Sequence, residues 1–476
     1  MGAVKDKVAV FLAKRAIHYV RKDFETNSLK LIDFGLKHDK REVYQRMYKR
    51  LREGLTRPGN RWQEFFKAIV VETDENVLDK LILPFYNTVL VSYDRRTAAM
   101  EKYDCNIPWA ILLDPTAACN LHCTGCWAAE YGKESQLSID DIRKIIREGK
   151  ELGTYVYLYT GGEPLMRRKD IITLCKENPD CLFLAFTNGT LCDDEFADQM
   201  REVGNLFLTF SIEGNEETTD SRRGEGTYQK VLAGMKRLKD RGCIFGASLC
   251  YTKVNADVIA SDEYADFLLS LGVRYAWYFT FVPVGKGATS ELMATPEQRK
   301  KMYDQIRKWR FQPGEVRPFI TIDFFNDGEY VGGCVAGGKQ YFHISANGDC
   351  EPCVFAHYSS VNIKNAHLLD ALQSPIFMAY RQHQPFSDNM LRPCPVMDQP
   401  GAIKQMVHES GALPTDLANP EEVDELFDKA VGHAEEWKPV ADQIADEHGF
   451  VKFHIRSVEM YKDVEAQRKR DFEEFK

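Results

Sequence analysis

"WAILLDPTAACNLHCTGCW", residues 109–127, runs a strand directly into three cysteines. The apolar run 109–113 ends in Asp-Pro-Thr, which reads as a strand and its exit turn. Cys119, Cys123 and Cys126 follow, with three and then two residues between them. A short loop can turn three such thiols toward one centre. Zinc wants four protein ligands in a closed tetrahedron. A 4Fe–4S cluster takes one thiolate per iron, so three cysteines leave one iron open to an exchangeable ligand. Either a fourth thiol arrives from elsewhere or one position is left open.

The texture of the chain on either side sets the fold. Runs rich in β-branched and aromatic residues recur at 155–164, 182–190, 206–214, 244–252 and 275–283, separated by amphipathic segments. Ser138 as N-cap, Asp141 at the capping-box position, a Leu137–Ile142 staple and Gly153 as stop predict a helix over 139–152. Gly204, Gly242 and Gly272 predict later helix ends. Six strands with intervening helices imply a parallel sheet buried on both faces, an open partial (β/α)6 TIM-like barrel with its chemistry at the carboxyl ends of the strands. Residues 1–104 read as a helical basic region, 105–290 as the barrel, 291–400 as a cysteine-bearing segment, and 401–476 as a helical, acidic extension.

At 476 residues, 44% hydrophobic and 28% charged, the chain has the profile of a soluble multidomain protein. No apolar run approaches the ~18 residues of a membrane span, and "VAVFLA" between Lys7 and Lys14 is too short for a secretion signal. A cytoplasmic protein is expected. Residues 1–60 carry 15 Lys and Arg against 7 Asp and Glu, a net of +8, while the whole chain carries −9, which leaves −17 on the remainder. The basic leader is either a solvated face or an attachment surface for an acidic partner or an anionic membrane. Bulk acidity excludes a nucleic-acid machine. Thirteen cysteines without an export signal point to metal or catalytic roles. Six of them are scattered and read as small core residues; Cys334, Cys350, Cys353 and Cys394 form a second, looser group.

CxxxCxxC followed by an aromatic residue, directly after the first strand of a βα repeat, resembles the signature of the radical S-adenosylmethionine (SAM) enzymes. Further positions match that family in order. "GGEP", Gly161, Gly162, Glu163 and Pro164, ends the second strand where the family's motif meets the SAM amino group; "TNG" with Asn188 ends the third; "SIEG" with Ser211 and Glu213 ends the fourth; Asn255 follows the fifth. The resemblance covers about residues 107–290. It implies a 4Fe–4S cluster on Cys119, Cys123 and Cys126, SAM chelated on the open iron, and a 5′-deoxyadenosyl radical that abstracts hydrogen from substrate. "CVAGGKQYFHISANGDCEPCVF" (334–355) is similar to the opening of a SPASM/twitch auxiliary domain. That likeness implies one auxiliary 4Fe–4S cluster on Cys334, Cys350, Cys353 and Cys394, or on three of these with an open iron; a four-thiol zinc site is the competing reading.

The resemblance implies a peptide, protein or other organic substrate and a flavodoxin- or ferredoxin-type reductant. The helical leader departs from the mixed β recognition domains of the peptide maturases, and suits a membrane lipid or anionic precursor and peripheral membrane contact. A non-catalytic iron–sulfur carrier is the alternative class. Asp323 and Glu163 are acidic residues near the cleft, and His122 is expected to pack beside the first cluster rather than ligate it.

Overall fold

The computed structural model describes residues 2–39, 42–57, 61–128, 134–285 and 288–448. The end of the expected C-terminal extension, 449–476, lies outside the described residues.

The strands are β1 (Ala110–Leu113), β2 (Val156–Tyr159), β3 (Leu182–Thr187), β4 (Leu206–Ser211), β5 (Phe245–Tyr251), β6 (Tyr275–Thr280), β7 (Ile320–Asp323), β8 (Tyr341–Ile344) and β9 (Cys350–Glu351). They form one sheet in the order β7-β6-β5-β4-β3-β2-β1-β8-β9. From β7 through β1 to β8 every neighbouring pair is parallel, and only β9 runs antiparallel. The mixed α/β partial barrel read from the sequence is therefore present, and larger than six strands. The sheet runs across position 290: β7 extends one edge, and β8 pairs with β1 at the other, Ala110 against Tyr341 and Leu113 against Ile344.

Local signals built the helices. Ser138 and Asp141 form the capping box of Ile139–Leu152, and Gly153 ends it at φ 98°. Burial departs from the two-sided expectation. β1 and β2 are fully buried, but β3 and β6 alternate between half-buried and buried residues. Along β6, Tyr278 packs outward on Trp309 of the helix Pro296–Phe311, while Trp277 and Phe279 meet Phe186 of β3. Strands β3 and β6 are not neighbours, so these rings meet across the barrel interior. Its inner face is aromatic and partly open.

The N-terminal helices close the opposite end. Asn87 donates to Asp180 O (3.0 Å), the Asp74 amide to Gly242 O (2.9 Å) and Arg95 to Tyr155 Oη (2.6 Å). Residues 155, 180 and 242 each lie just before a strand begins, so this region caps the amino ends of the strands, remote from the cysteine loop.

Candidate active site

The loop after β1 is held by its own backbone. Gly162 N donates to Thr116 O (3.0 Å) and Glu163 N to Ala118 O (2.9 Å), which stitches the Gly161–Pro164 turn to the segment leading into Cys119. The glycines are required here. A Cβ on Gly162 would lie 2.3 Å from Ala118 O, and one on Gly161, at φ 99°, would lie 2.7 Å from Asp114 Cβ. Cys119, Cys123 and Cys126 are all half-buried, and His122 is exposed.

Each thiol has polar company. Cys119 Sγ accepts from Leu121 N (3.5 Å) and lies 3.9 Å from Asn188 Nδ2. Arg223 Nη1 lies 3.9 Å from Cys123 Sγ. Arg223 and its neighbour Arg222 converge on one buried oxygen, Glu213 Oε1, at 2.9 and 2.6 Å. Arg222 also brackets the loop: its carbonyl accepts from Thr124 N (2.9 Å) and its Nε donates to Thr124 O (3.2 Å). Burial works against both guanidinium charges, yet the ion pair with Glu213 holds them protonated. Burial pushes the Cys119 thiol up to about 11. Burial raises Cys126 as well, so the site sets two thiols that resist ionisation, with Cys123 between them, beside two fixed cations, which suits thiolates stabilised by iron.

The carboxylates serve the scaffold. Glu163 is buried and accepts from Leu165 N (2.9 Å), Thr187 Oγ1 (2.7 Å) and Asn188 N (2.7 Å), tying the second strand's loop to the third's. Pro164 is buried at the start of a short helical turn. Glu213 leaves Oε2 buried without a partner among the described residues. Ser211 is half-buried at the carboxyl end of β4. Asn255 is buried: its amide donates to Glu213 O and Cys250 O, both at 3.1 Å, so it braces Glu213 from behind.

The second group of thiols divides. Cys334, Cys353 and Cys394 line one small cavity with Tyr341 and Tyr380. Cys350 does not join them. It lies buried on β9, opposite Ile344, with Gly348 O 4.0 Å from its sulfur and Lys144 among its charged neighbours. The reason is strand alternation: Glu351 takes one face of β9, which leaves Cys350 to the other. Of the four thiols grouped from the sequence, three surround this cavity. Burial pushes the Cys353 thiol up to about 12 and raises Cys334 and Cys394 as well. Among the described residues no group of three or more His, Cys, Asp or Glu is arranged to hold a single metal ion; a cluster spreads its thiolates over separate irons.

Two buried polar chains were not read from the sequence, although Asp323, which starts the second, was named there as an acidic residue near the cleft. His343 of β8 bridges Asp114 at the end of β1 (Nε2 to Oδ1, 2.9 Å) and Glu351 (Nδ1 to Oε2, 2.6 Å). Thr415 donates to the other Glu351 oxygen, and Trp127 lies edge-on to the imidazole at 5.6 Å. Burial opposes the imidazolium, but the two carboxylates prevail and hold His343 up at about 10. The signal was one ionisable residue inside the apolar run "YFHIS". The second chain starts at Asp323, whose two oxygens accept from Asn326 at 3.0 Å each. Arg299 Nε donates to Asn326 Oδ1 (2.9 Å) and its Nη1 to Asp398 Oδ1 (2.6 Å), and Asp398 Oδ2 accepts from the Cys394 amide (3.1 Å). Burial, and then Asp327, push Asp323 up to about 7.

Comparison with known proteins agrees with this geometry. The sequence profile of the radical SAM superfamily matches residues 113–264. An AdoMet-dependent heme synthase of Methanosarcina barkeri is 30% identical over 214 residues, 44% of this chain and 59% of that protein. An Fe-coproporphyrin III synthase of the same organism is 28% identical over 233 residues, 46% of this chain and 57% of that protein. The matches thus span a little under three fifths of these relatives. The crystal structure of Streptococcus suis SuiB bound to its precursor peptide SuiA shares the fold, with a TM-score of 0.52 at 18% identity over 62% of this chain and 71% of that one. Residues 113–264, which hold the three-thiol loop and the stitched GGEP turn, form a radical SAM domain, the domain of iron–sulfur, S-adenosylmethionine-dependent enzymes.

Proposed function

We propose that the chain is a working radical SAM enzyme, with a 4Fe–4S cluster on Cys119, Cys123 and Cys126 and an auxiliary cluster on Cys334, Cys353 and Cys394. When bound, the first cluster and SAM supply a 5′-deoxyadenosyl radical that takes a hydrogen atom from an organic substrate. The observation that carries this reading is the pair of backbone bonds joining Gly162 and Glu163 to the segment before Cys119. They hold the turn beside three half-buried thiols and so shape a surface that a closed structural metal site does not need. Gly161, Gly162 and Ser211 border the ligand on this reading. Glu163, Pro164, Asn188 and Asn255 hold the loops that present it, and Glu213 fixes the two arginines beside the thiols. An electron carrier would have no use for that surface.

The substrate's reacting part meets an aromatic wall of Phe186, Trp277, Phe279 and Phe324. A peptide side chain or a ring system fits such a wall, and the relatives named as heme and coproporphyrin synthases support the ring system. Delivery by the basic leader fits less well, because those helices cap the far end of the barrel. They support a different role, attachment to an anionic membrane. Val8, Phe11, Leu12 and Tyr19 form an exposed stripe on the helix Gly2–Lys22, with the Arg15 guanidinium 5.8 Å from the Phe11 ring. No helix among the described residues is long and apolar enough to cross a membrane.

The test is 5′-deoxyadenosine formation from SAM by anaerobically reconstituted protein with dithionite, wild type against a Cys119/Cys123/Cys126→Ala triple variant. Product from wild type alone is expected. Wild type that holds iron and SAM but makes no product would leave the carrier reading standing. Wild type that takes up no iron would end the proposal.

A further inference from the structure

The cavity of Cys334, Cys353 and Cys394 carries two phenols with unequal company. Tyr341, on β8, has its Oη 2.9 Å from Cys353 Sγ. Other donors reach these sulfurs weakly: Phe355 N lies 3.5 Å from Cys353 and Met397 N 3.4 Å from Cys394, while the Ala336 amide and the Gln384 side chain serve Cys334. Tyr380, on the helix Pro375–His383, is fully buried, and its hydroxyl has no partner among the described residues. The ring cannot swing out to find one. Gly337, at φ 64°, is pressed on it so closely that a Cβ there would come within 2.4 Å of Tyr380 Cβ, and Phe386 lies edge-on at 5.5 Å. Gln384, just past the same helix, donates to Cys334 O (3.2 Å) and Ala336 O (3.1 Å), which fixes the helix end to the thiol loop.

A buried donor held rigidly beside three sulfurs calls for an acceptor. We infer that Tyr380 donates its phenol hydrogen bond to the iron–sulfur cluster held by Cys334, Cys353 and Cys394, and that with Tyr341 it makes this cluster easier to reduce. The inference rests on the auxiliary-cluster reading above. A cluster gains negative charge on reduction, so a hydrogen bond to its sulfurs favours the reduced state, and hydrogen bonding to sulfur is among the groups' main controls of potential. Both tyrosines are positioning residues on this view, since the thiols do the ligating.

The experiment uses the full chain with Cys119, Cys123 and Cys126 changed to Ala, so that a single cluster remains after anaerobic reconstitution. Its midpoint potential is read by a dithionite titration followed by EPR. Tyr380→Phe keeps the ring and removes only the donor. The expected result is full iron content with the reduction equilibrium shifted about tenfold toward the oxidised cluster, 59 mV lower for a one-electron couple. Tyr341→Phe combined with it lowers the potential further. Full iron with an unchanged potential in Tyr380→Phe overturns the inference and leaves the auxiliary cluster intact. Loss of iron in Tyr380→Phe also overturns it, because the phenol would then hold metal rather than tune it. A parent protein that takes up no iron at this site sinks the auxiliary-cluster reading, and this inference with it.

Discussion

The two thiol sites of this protein are built on opposite principles. Cys119, Cys123 and Cys126 sit half-buried on a loop, flanked by two arginines and a buried glutamate. Cys334, Cys353 and Cys394 sit among aromatic rings, with neutral donors at their sulfurs. A cofactor that binds and leaves needs an open coordination position and charge to hold its groups. A resident centre is better enclosed, because exposure and hydrogen bonding to sulfur govern potential. The seam between the sites is the Asp114–His343–Glu351 chain: Asp114 touches the GGEP turn, and Glu351 precedes Cys353 by two residues.

The comparison breaks most decisively at the ligands. Cys394→Ser should cost the iron of one whole cluster, while Cys350→Ser should leave iron content unchanged; iron and sulfide assays on reconstituted protein decide it. The seam should matter next. His343→Leu removes the cation between two buried carboxylates and should cost about 3–5 kcal/mol. The triple change Asp114→Asn, His343→Leu and Glu351→Gln should recover most of that, as measured by denaturant unfolding under anaerobic conditions. Gly162→Ala forces the Ala118 carbonyl aside and should weaken SAM binding about tenfold, or ~1.4 kcal/mol, in equilibrium dialysis, with the second cluster's iron untouched.

A pH dependence also follows. Asp323 titrates near 7 in the folded chain against an ordinary value of 3.8. Its folded-state pKa is raised, so the folded protein keeps a proton that the unfolded chain has released, and stability falls as pH rises from about 4 to 7. The slope approaches about 1.4 kcal/mol per pH unit from this group alone. Asp323→Asn should flatten the stability profile in that window, and an unchanged profile would refute the shift.

Several features of the fold were legible because their causes are local. A capping box at Ser138, glycine stops at 153, 204 and 272, and β-branched runs between them each act within one element, so the alternating parallel sheet followed from them. The three-thiol loop was legible for the same reason: the spacing lies within a single turn of chain. The count of strands was not, because β7 and β8 lie beyond position 290 and are recruited to the sheet by pairing with β6 and β1.

What the sequence determined by itself was chemistry at short range: thiols that share a loop, glycines that bare a backbone, a barrel whose strand ends collect them. Tertiary structure decided everything that depends on which residues meet from afar. It chose three of the four later cysteines, because strand alternation turns Cys350 away from the cavity. It spent Glu163 and Asn255 on bracing, because their donors and acceptors come from other strands' loops. It set the basic helices at the amino ends of the strands, and it buried a histidine between carboxylates over two hundred residues apart in sequence. Burial and long-range pairing set those outcomes, and neither is written in a spacing.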